Sequence, residues 1–554
     1  MKKQIALILA LVLCMSLTSA AFADEVQPLR VADEGYVIEG DGWYSVNAWC
    51  KSGDADLFGR IYYPADFDET QQYTAVLLVH GMTLNADFWH KIYAPELAKA
   101  GYICYAFDER SGTTGGRGSY STPLPEGENP DAENAALEAS AALDFVQSLS
   151  YVNKDAIYLF GNSKGSMAVQ ILASRRSSEI KGVVALYGSI LNANSILANN
   201  ESILEHPYDN GEVLIIWGTG DTGYSLENTL GSMALYPSAT AVLISDAYHG
   251  FGNQANRPAL ICVEEIIDYI DRTTNGIPNE KKKSSSATKE DLAASEEGYT
   301  HEDDGYYFTV HYASEDGVDI FGRMYYPADF DESLQYPVII ASHGGGGTAD
   351  VWDKAIAPRI AQKGTLVYAI DAQSETDHGR GSYSTPLEGV NAGANKVEDF
   401  AKDISIALDF VKTLPYVRQD AIYLMGGSKG GVATQLAGAW RSEDLAGIIV
   451  QSGAIEEANK GMVADFEALK AAPFSHGEVL FVQGSEDNQC LVDNAEANMG
   501  WYEHYTMVII SHTGHGFGYQ NDRSTEVFVD SVNEFIYRTS NHLGEEQSKR
   551  TKSK

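Results

Sequence analysis

The feature that most constrains this chain is an internal duplication. The segment Phe58–Glu69 reads FGRIYYPADFDE and recurs, with one substitution, as Phe321–Glu332. A second segment, RGSYSTP at Arg117–Pro123, recurs at the same offset, and later segments recur at an offset only slightly longer. A period this long is that of a whole domain rather than of a solenoid repeat. The 554 residues are therefore expected to contain two homologous domains in tandem.

The first residues are typical of a secretory signal peptide. Two lysines precede the apolar stretch Ile5–Met15, which is too short to span a bilayer comfortably, and the small-x-small pattern Ala21–Ala23 follows. We expect residues 1–23 to be removed, so that the mature chain begins at Asp24 and is secreted to the periplasm or the extracellular space. The alternative is an N-terminal membrane anchor. No later segment is long and apolar enough to cross a membrane.

Composition places the other boundaries. Residues 274–296 are rich in small and charged side chains and lack apolar periodicity, which predicts a flexible linker. The first domain is then predicted at 24–273 and the second at 297–542, with a disordered tail at 543–554.

Charge and cysteine content exclude several functions. The 77 acidic against 39 basic residues give a net charge of −38, which disfavours nucleic-acid binding through a basic face. The four cysteines that remain after signal removal have no C-x-x-C neighbours, so zinc and redox motifs are absent from the sequence. We expect no metal and no organic cofactor.

Short apolar runs alternate with helical patterns in each copy. Continuous apolar runs are typical of strands that are buried on both faces of a parallel sheet. The sequence therefore predicts an α/β fold in which each domain is a mostly parallel sheet covered by helices. The predicted strands are Ala75–Val79, Ile103–Phe107, Ala156–Phe160, Val183–Tyr187, Val213–Trp217 and Ala241–Ser245, with counterparts Val338–Ala341, Leu366–Ile370, Ile422–Met425, Gly447–Val450, Val479–Val482 and Met507–Ser511.

Each copy carries a serine in a G-x-S-x-G pattern between a predicted strand and a predicted helix. The pattern reads GNSKG around Ser163 and GGSKG around Ser428. A serine at such a junction occupies a sharp turn that exposes its hydroxyl above the sheet. Because the pattern occupies the same place in both copies, Ser163 and Ser428 are the predicted nucleophiles. The alternative is a tight turn with an idle serine.

A serine hydroxyl needs a base and an orienting acid before it acts as a nucleophile. Asp221 and Asp487 each follow a predicted strand, and their spacings from the serine differ by a single position. His249 and His515 follow the aspartates at identical spacing, each in an HGFG motif. The order Ser, Asp, His is the same in both copies, so we predict one catalytic triad per domain. An aspartate in this position can also be only a turn former.

Two other residues in the second copy compete for these roles. His512 lies near His515, and Glu486 precedes Asp487. Their aligned counterparts in the first copy are Asp246 and Gly220, which could not serve as a base and an acid in the same way. His515 and Asp487 are therefore preferred.

An oxyanion hole needs backbone N–H groups aimed at the developing negative charge. One donor is expected from the residue after each nucleophile, Lys164 or Lys429. The other is expected from the loop after the first predicted strand, at Met82 in an HGM motif and at Gly345 in an HGGGG motif. The alternative for the glycine run is a plain flexible loop.

Each copy resembles an α/β-hydrolase domain over about 250 residues. The resemblance rests on the HGM or HGGGG loop, the GNSKG or GGSKG turn, the aspartate after a strand, and HGFG. The domain size and the HGFG ending are similar to dienelactone-hydrolase-like and cinnamoyl-esterase-like carboxylesterases. Dienelactone hydrolases carry a cysteine nucleophile, whereas serines stand at 163 and 428 here.

The signal peptide, the duplication and the resemblance together predict a secreted serine carboxylesterase with two active sites. Expected substrates are acyl or aromatic esters of small molecules or polysaccharides, including feruloyl and acetyl esters. One alternative is a peptidase similar to the catalytic domain of prolyl oligopeptidases. Those usually carry a propeller domain in front, and only a short strand-like lead precedes Phe58 here. In another alternative, one or both copies are binding modules on a hydrolase scaffold.

Overall fold

The structure is a computed structural model. It describes residues 33–82, 84–110, 119–126, 128, 130–188, 201–252, 255–275, 293–353, 355–373, 382–387, 396–455, 460–518 and 522–541. The predicted signal peptide, positions 276–292 of the predicted linker and the predicted tail lie outside the described residues.

The first half alternates strands with helices. Its strands are β1 (Val37–Gly40), β2 (Trp43–Ser52), β3 (Ala55–Pro64), β4 (Tyr73–Val79), β5 (Ile103–Phe107), β6 (Val152–Asn162), β7 (Gly182–Leu186), β8 (Glu212–Gly218) and β9 (Ala239–Ile244). Its helices are α1 (Asp87–His90), α2 (Tyr93–Lys99), α3 (Ala132–Ser148), α4 (Lys164–Arg175), α5 (Glu201–Glu205), α6 (Leu226–Met233) and α7 (Arg257–Asn275).

The second half repeats this order. Its strands are β10 (Thr300–Asp303), β11 (Tyr306–Glu315), β12 (Val318–Pro327), β13 (Tyr336–Ser342), β14 (Leu366–Ile370), β15 (Val417–Gly427), β16 (Gly447–Gln451), β17 (Glu478–Gly484) and β18 (Tyr505–Ile510). Its helices are α8 (Asp350–Asp353), α9 (Ala357–Gln362), α10 (Val397–Lys412), α11 (Lys429–Trp440), α12 (Phe466–Ala471), α13 (Val492–Met499) and α14 (Arg523–Ser540).

Each half forms a sheet with an antiparallel margin and a parallel centre. In the first half β1, β2, β3 and β5 pair antiparallel in that order, and β5, β4, β6, β7, β8 and β9 then continue in parallel. The second half has the same order from β10 to β18. The parallel strands are apolar and buried, as expected when helices cover both faces. The predicted α/β class is confirmed.

The two sheets join into one through an antiparallel pairing of β9 with β18. The register is two-fold symmetric, because Val242 faces Val508, its own counterpart in the other copy. Two ion pairs repeat the symmetry: Arg257 binds Glu478 at 2.7 Å, and Arg523 binds Glu212 at 2.9 Å. The guanidiniums of Arg272 and Arg523 hold the pKa of Glu212 well below its usual range, although burial acts in the opposite direction.

The symmetry fixes where the two domains present their strand ends. Within each half, the central strands run parallel, so their carboxyl ends lie at one edge of that sheet. Because β9 and β18 are antiparallel, the carboxyl ends in the second half lie at the opposite edge of the joined sheet. Functional groups at these ends therefore face away from one another.

The four cysteines of the described chain, Cys50, Cys104, Cys262 and Cys490, are buried and form no disulfide. Burial raises the pKa of the Cys104 thiol well above its ordinary value, as expected for a core residue. Each helix in the described ranges lacks the combination of length and apolar character that crossing a bilayer requires.

Candidate active sites

Ser163 and Ser428 stand at strand-to-helix turns, one residue after β6 and β15 end and one residue before α4 and α11 begin. Their φ angles are 53° and 52°, in the left-handed region that residues other than glycine seldom adopt. Such strain costs on the order of 1–3 kcal/mol and persists where the surrounding packing holds it. The turn exposes the serine at the carboxyl end of the parallel sheet.

The glycines of the G-x-S-x-G pattern are required by close backbone approach. A Cβ on Gly165 would lie 2.1 Å from the carbonyl oxygen of Val79 in the neighbouring strand. A Cβ on Gly161 would lie 2.2 Å from the carbonyl oxygen of Gly165. In the second domain a Cβ on Gly430 would lie 2.6 Å from the carbonyl oxygen of Ser342, the counterpart of Val79, and one on Gly426 would lie 2.3 Å from that of Gly430. The missing side chains thus let the helix pack directly on the strands that carry the serine.

The first domain brings Ser163, His249 and Asp221 together. Asp221 follows β8 and His249 follows β9, so both reach the sheet edge where Ser163 lies. His249 Nε2 is 2.9 Å from Ser163 Oγ, and His249 Nδ1 is 2.7 Å from Asp221 Oδ2. The other oxygen of Asp221 accepts the backbone N–H of Gly223 at 2.8 Å. The arrangement is that of a hydroxyl, a base and an orienting acid.

The second domain brings Ser428, His515 and Asp487 together in the same way. His515 Nε2 is 2.8 Å from Ser428 Oγ, and His515 Nδ1 is 2.9 Å from Asp487 Oδ2. In addition, Gln483 Nε2 donates to Asp487 Oδ2 at 2.9 Å. Gln483 was not predicted from the sequence. Its counterpart in the first copy is Trp217, so a comparison of the two copies does not show a repeated residue at this position.

The two sites differ in exposure and charge stabilisation. The His249 side chain is 51% exposed, whereas the His515 side chain is 15% exposed. Burial disfavours the charged form of Asp487, but hydrogen bonds from His515 and from the N–H groups of Cys490 and Gln489 outweigh it and lower its pKa to about 2. Asp487 is thereby kept ionised beside the imidazole.

The competing residues of the second domain pair with each other instead. His512 Nδ1 lies 3.0 Å from Glu486 Oε1, and both side chains are more than half exposed. His515 and Asp487, not this exposed pair, are the residues that lie within hydrogen-bond distance in series from Ser428.

The residues predicted to donate to the oxyanion lie in two segments beside each serine. Lys164 and Lys429 are the first residues of α4 and α11, so their N–H groups have no acceptor within the helix. Gly81, which precedes Met82, is so close that a Cβ there would lie 3.0 Å from Ser163 Cβ. In the second domain a Cβ on Gly345 would lie 3.6 Å from Lys429 Cδ. Both loops thus lie beside the turn that carries the serine, and the donor role of their N–H groups stays a prediction.

A tyrosine beneath the first site was also not predicted from the sequence. The Tyr187 ring packs edge-on against His249, with centroids 4.9 Å apart, and its hydroxyl accepts from Asn162 Nδ2 at 2.9 Å. The second copy has Ser452 and Gly427 at these positions. The copies therefore share the Ser-His-Asp set but support the imidazole differently.

No metal ligand set accompanies these groups in the residues that the structure covers: no three His, Cys, Asp or Glu side chains are arranged there to hold a metal ion.

Comparison with known proteins gives two family matches. Residues 74–209 match a family described as the alpha/beta hydrolase fold, and residues 335–539 match one described as serine aminopeptidase, S33. Together the two matches cover more than half of the chain, one in each half.

Individual relatives match shorter stretches. An uncharacterized protein of Escherichia coli strain K12, YcjY, is 33% identical over 109 residues, which is 20% of this chain and 33% of that protein. Dipeptidyl-peptidase 5 of Schizosaccharomyces pombe is 31% identical over 109 residues, 19% of this chain and 15% of that protein. The chain thus matches a third or less of these relatives' lengths.

Among solved structures, Est1E from Butyrivibrio proteoclasticus with bound ferulic acid is 18% identical, with a TM-score of 0.34 over 42% of this chain and 99% of that one. The family matches and the strand order of each half lead to one conclusion: the chain belongs to the α/β-hydrolase fold family and carries two domains of that fold in tandem.

Proposed function

We propose that the protein is an exported serine hydrolase that cleaves carboxylic esters at two sites, one in each domain. The observation that carries the proposal is the hydrogen-bonded series of serine, histidine and buried aspartate, present twice. A strained serine on a strand–turn–helix junction, with helix N-terminal amides beside it, has the parts that acyl transfer needs.

The proposed reaction has two steps at each serine. Ser163 Oγ attacks the ester carbonyl while His249 Nε2 takes the hydroxyl proton, and the backbone N–H groups of Lys164 and Met82 stabilise the oxyanion. The imidazolium, oriented by Asp221, then gives this proton to the departing alcohol, which leaves an acyl-enzyme. Water, deprotonated by His249, releases the acid and regenerates the serine.

The second site uses its own set in the same order. Ser428 is the nucleophile, His515 the base and Asp487 the orienting acid. The N–H groups of Lys429 and Gly345 are the oxyanion donors. No cofactor enters either reaction. The motif resemblance supports acyl or aromatic esters of small molecules or polysaccharides as the substrate class.

Turnover of short p-nitrophenyl esters tests the proposal. Ser163→Ala and Ser428→Ala should each remove one site, and the double variant should lose at least about 10³-fold in kcat/KM. Thr222→Ala, an exposed change one residue from Asp221, is the matched control and should keep wild-type rates. Undiminished turnover in the double variant would sink the assignment.

A peptidase is the second candidate, because of two comparisons. The second half matches the serine aminopeptidase family, and part of the chain is similar to a dipeptidyl-peptidase. Aminoacyl-naphthylamides assayed beside the esters decide between them. A kcat/KM for the amides that equals or exceeds that for the esters would favour a peptidase.

Export belongs to the same proposal. It rests on the lysines, the apolar stretch and the cleavage pattern within positions 1–23. Intact mass measurement of the protein recovered outside the cytoplasm should give a chain that begins at Asp24. Recovery only in the cytoplasm with positions 1–23 retained would contradict export.

A further inference from the structure

A buried ion pair lies directly behind the first nucleophile. The ammonium of Lys164, the residue after Ser163, contacts the carboxylate of Glu109, and the two side chains are 4% and 2% exposed. Glu109 follows β5, on the far side of β4 from the strand that carries the serine. In the second domain the position of Glu109 is occupied by Ala372, so this pair is particular to the first site.

A histidine connects the same glutamate to the oxyanion loop. The backbone N–H of Glu109 donates to His80 Nε2 at 3.0 Å, and His80 Nδ1 lies 2.8 Å from the carbonyl oxygen of Gly81. Because an amide N–H only donates and a carbonyl only accepts, His80 is neutral with its proton on Nδ1. His343 makes the corresponding two bonds in the second domain, to Ala372 and Gly344. The histidine link is therefore common to both sites.

Together these contacts join the two oxyanion donors in the first domain. Lys164 supplies one proposed N–H and reaches Glu109 with its side chain. Met82 supplies the other, and the preceding Gly81 is held by His80, which is held by the backbone of Glu109. Glu109 thus contacts both the Lys164 side chain and, through its backbone, the histidine that holds the Met82 loop. The second domain has the histidine contact but no counterpart of the ion pair.

Stability alone is a poor reason for such a pair. Removing two charges from water is costly, and buried ion pairs often contribute no more than apolar side chains of similar volume. One oxygen of the Glu109 carboxylate, Oε1, lies 3.9 Å from His80 Nδ1 but has no hydrogen-bond partner among the described residues, which adds to this cost. An ion pair that contributes so little to stability is better explained by the positions that it imposes on the residues around the nucleophile.

We propose that Glu109 is a positioning residue of the first site, which fixes the spacing between the Lys164 and Met82 N–H groups through its ion pair with Lys164. The inference rests on the proposed serine hydrolase function. Glu109 acts through the backbone of its neighbours and does not touch the substrate. The first site should consequently bind an oxyanion more tightly than it would without the pair.

The test removes both charges together, so that no unpaired charge is left in the core. In a Ser428→Ala chain, which isolates the first site, Glu109→Gln is combined with Lys164→Met. The matched control combines Glu133→Gln with Arg175→Met, a pair in the same domain that is about one-third exposed. Acylation by a p-nitrophenyl ester, affinity for an alkylboronic acid and the melting temperature are measured on each. The boronate adduct places a negatively charged oxygen in the oxyanion hole.

The double charge removal should lower kcat and boronate affinity together, by about 10- to 100-fold. KM and the melting temperature should stay near those of the control. Wild-type kcat and boronate affinity would overturn the inference, and so would losses that only follow a fall in melting temperature. Absence of Ser163-dependent turnover already in the Ser428→Ala parent would instead overturn the proposed function, which keeps the two failures apart.

Discussion

At the scale of single residues, the main effect of the two aspartates is to orient the imidazole ring of the neighbouring histidine. Asp221 and Asp487 are almost fully buried, and each holds the Nδ1 side of its histidine at 2.7 to 3.0 Å. With the proton held on Nδ1, Nε2 of a neutral imidazole is left as the acceptor that faces the serine. In the proposed reaction the carboxylate also favours the imidazolium that forms during attack. The proposed attack by the serine therefore requires the aspartate to be ionised.

Replacing either aspartate by asparagine should disable its own site with little change in shape. We expect Asp221→Asn and Asp487→Asn to lower the kcat of their site by about 10³–10⁴-fold, because the amide favours the wrong tautomer. Each is measured with the other serine changed to alanine. Glu486→Gln, next to Asp487 but paired with the exposed His512, should have no effect. A loss under tenfold would contradict the role given to the aspartates.

The residues that form the two sites could be predicted because their order is repeated. Chain order and matching spacings selected Ser163, Asp221 and His249 and their counterparts, and the structure brings each set within hydrogen-bond distance. Their catalytic role stays a prediction. The Lys164–Glu109 pair could not be predicted, since it joins residues far apart in the chain, of which Glu109 belongs to no motif.

At the scale of elements, the strand–turn–helix unit decides whether the serine is presented. The α4 helix begins directly after Ser163 and packs so closely on β4 and β6 that only glycine fits at two positions. The parallel strands were predictable from their apolar runs. The antiparallel strands β2 and β3 were not, because β2 mixes buried and partly exposed residues and the apolar residues of β3 are interrupted by Asp56, Gly59 and Arg60.

A methyl group at Gly165 tests this packing. Gly165→Ala would place a Cβ 2.1 Å from the Val79 carbonyl oxygen and must push α4 away from the sheet. We expect a loss of about 1–3 kcal/mol in the free energy of unfolding, and a first-site kcat reduced more than 10-fold. Gly461→Ala, where a Cβ would meet nothing within 4 Å, is the control. Wild-type stability and activity in Gly165→Ala would contradict the close approach.

The helices α7 and α14, which pack together at the domain junction, carry a cluster of buried acids. The pKa of Glu265 is raised to about 8, those of Asp530 and Glu534 are raised to about 7, and that of Asp268 is also raised. Burial is the largest cause for each of these four carboxyl groups. These groups keep protons in the folded state at pH values where the unfolded chain, with ordinary carboxyl pKa values near 4, has lost them. Stability should therefore fall as pH rises from about 5 to 8.

Urea unfolding measures this dependence. We expect a higher midpoint at pH 5.5 than at pH 8.5, and a smaller difference in Glu265→Gln. The carboxylate of Asp487, whose pKa is lowered to about 2, affects stability only below about pH 4. Burial lowers the pKa of His343 to about 4, and this opposes the trend only below about pH 6.5. Glu227→Gln, on the exposed side of α6, should leave the pH dependence unchanged. A midpoint that stays constant or rises toward pH 8.5 would contradict the account.

At the scale of the whole molecule, the chain is a two-fold symmetric pair of domains on one polypeptide. The sequence did not reveal that the sheets join, because edge-strand pairing leaves no local pattern. The available signal was that Arg257 and Glu212 recur as Arg523 and Glu478 at one common offset. The antiparallel junction places the two serines at opposite edges of the sheet. Each site should therefore act without contact with the other.

Independence predicts additive rates. The ester turnover of Ser163→Ala and that of Ser428→Ala should sum to the wild-type rate, because each independent site contributes its own turnover. The sum is measured at several substrate concentrations. A wild-type rate well above the sum would indicate cooperation between the domains and contradict independence.

Covalent labelling with a fluorophosphonate, read by intact mass, tests the central claim of two competent serines most directly. The wild-type chain should gain two labels, Ser163→Ala and Ser428→Ala one each, and the double variant none. Peptide mapping should place the labels on Ser428 and Ser163. A single label on the wild-type chain would mean that one copy is only a binding module, and no label on either serine would contradict the account altogether.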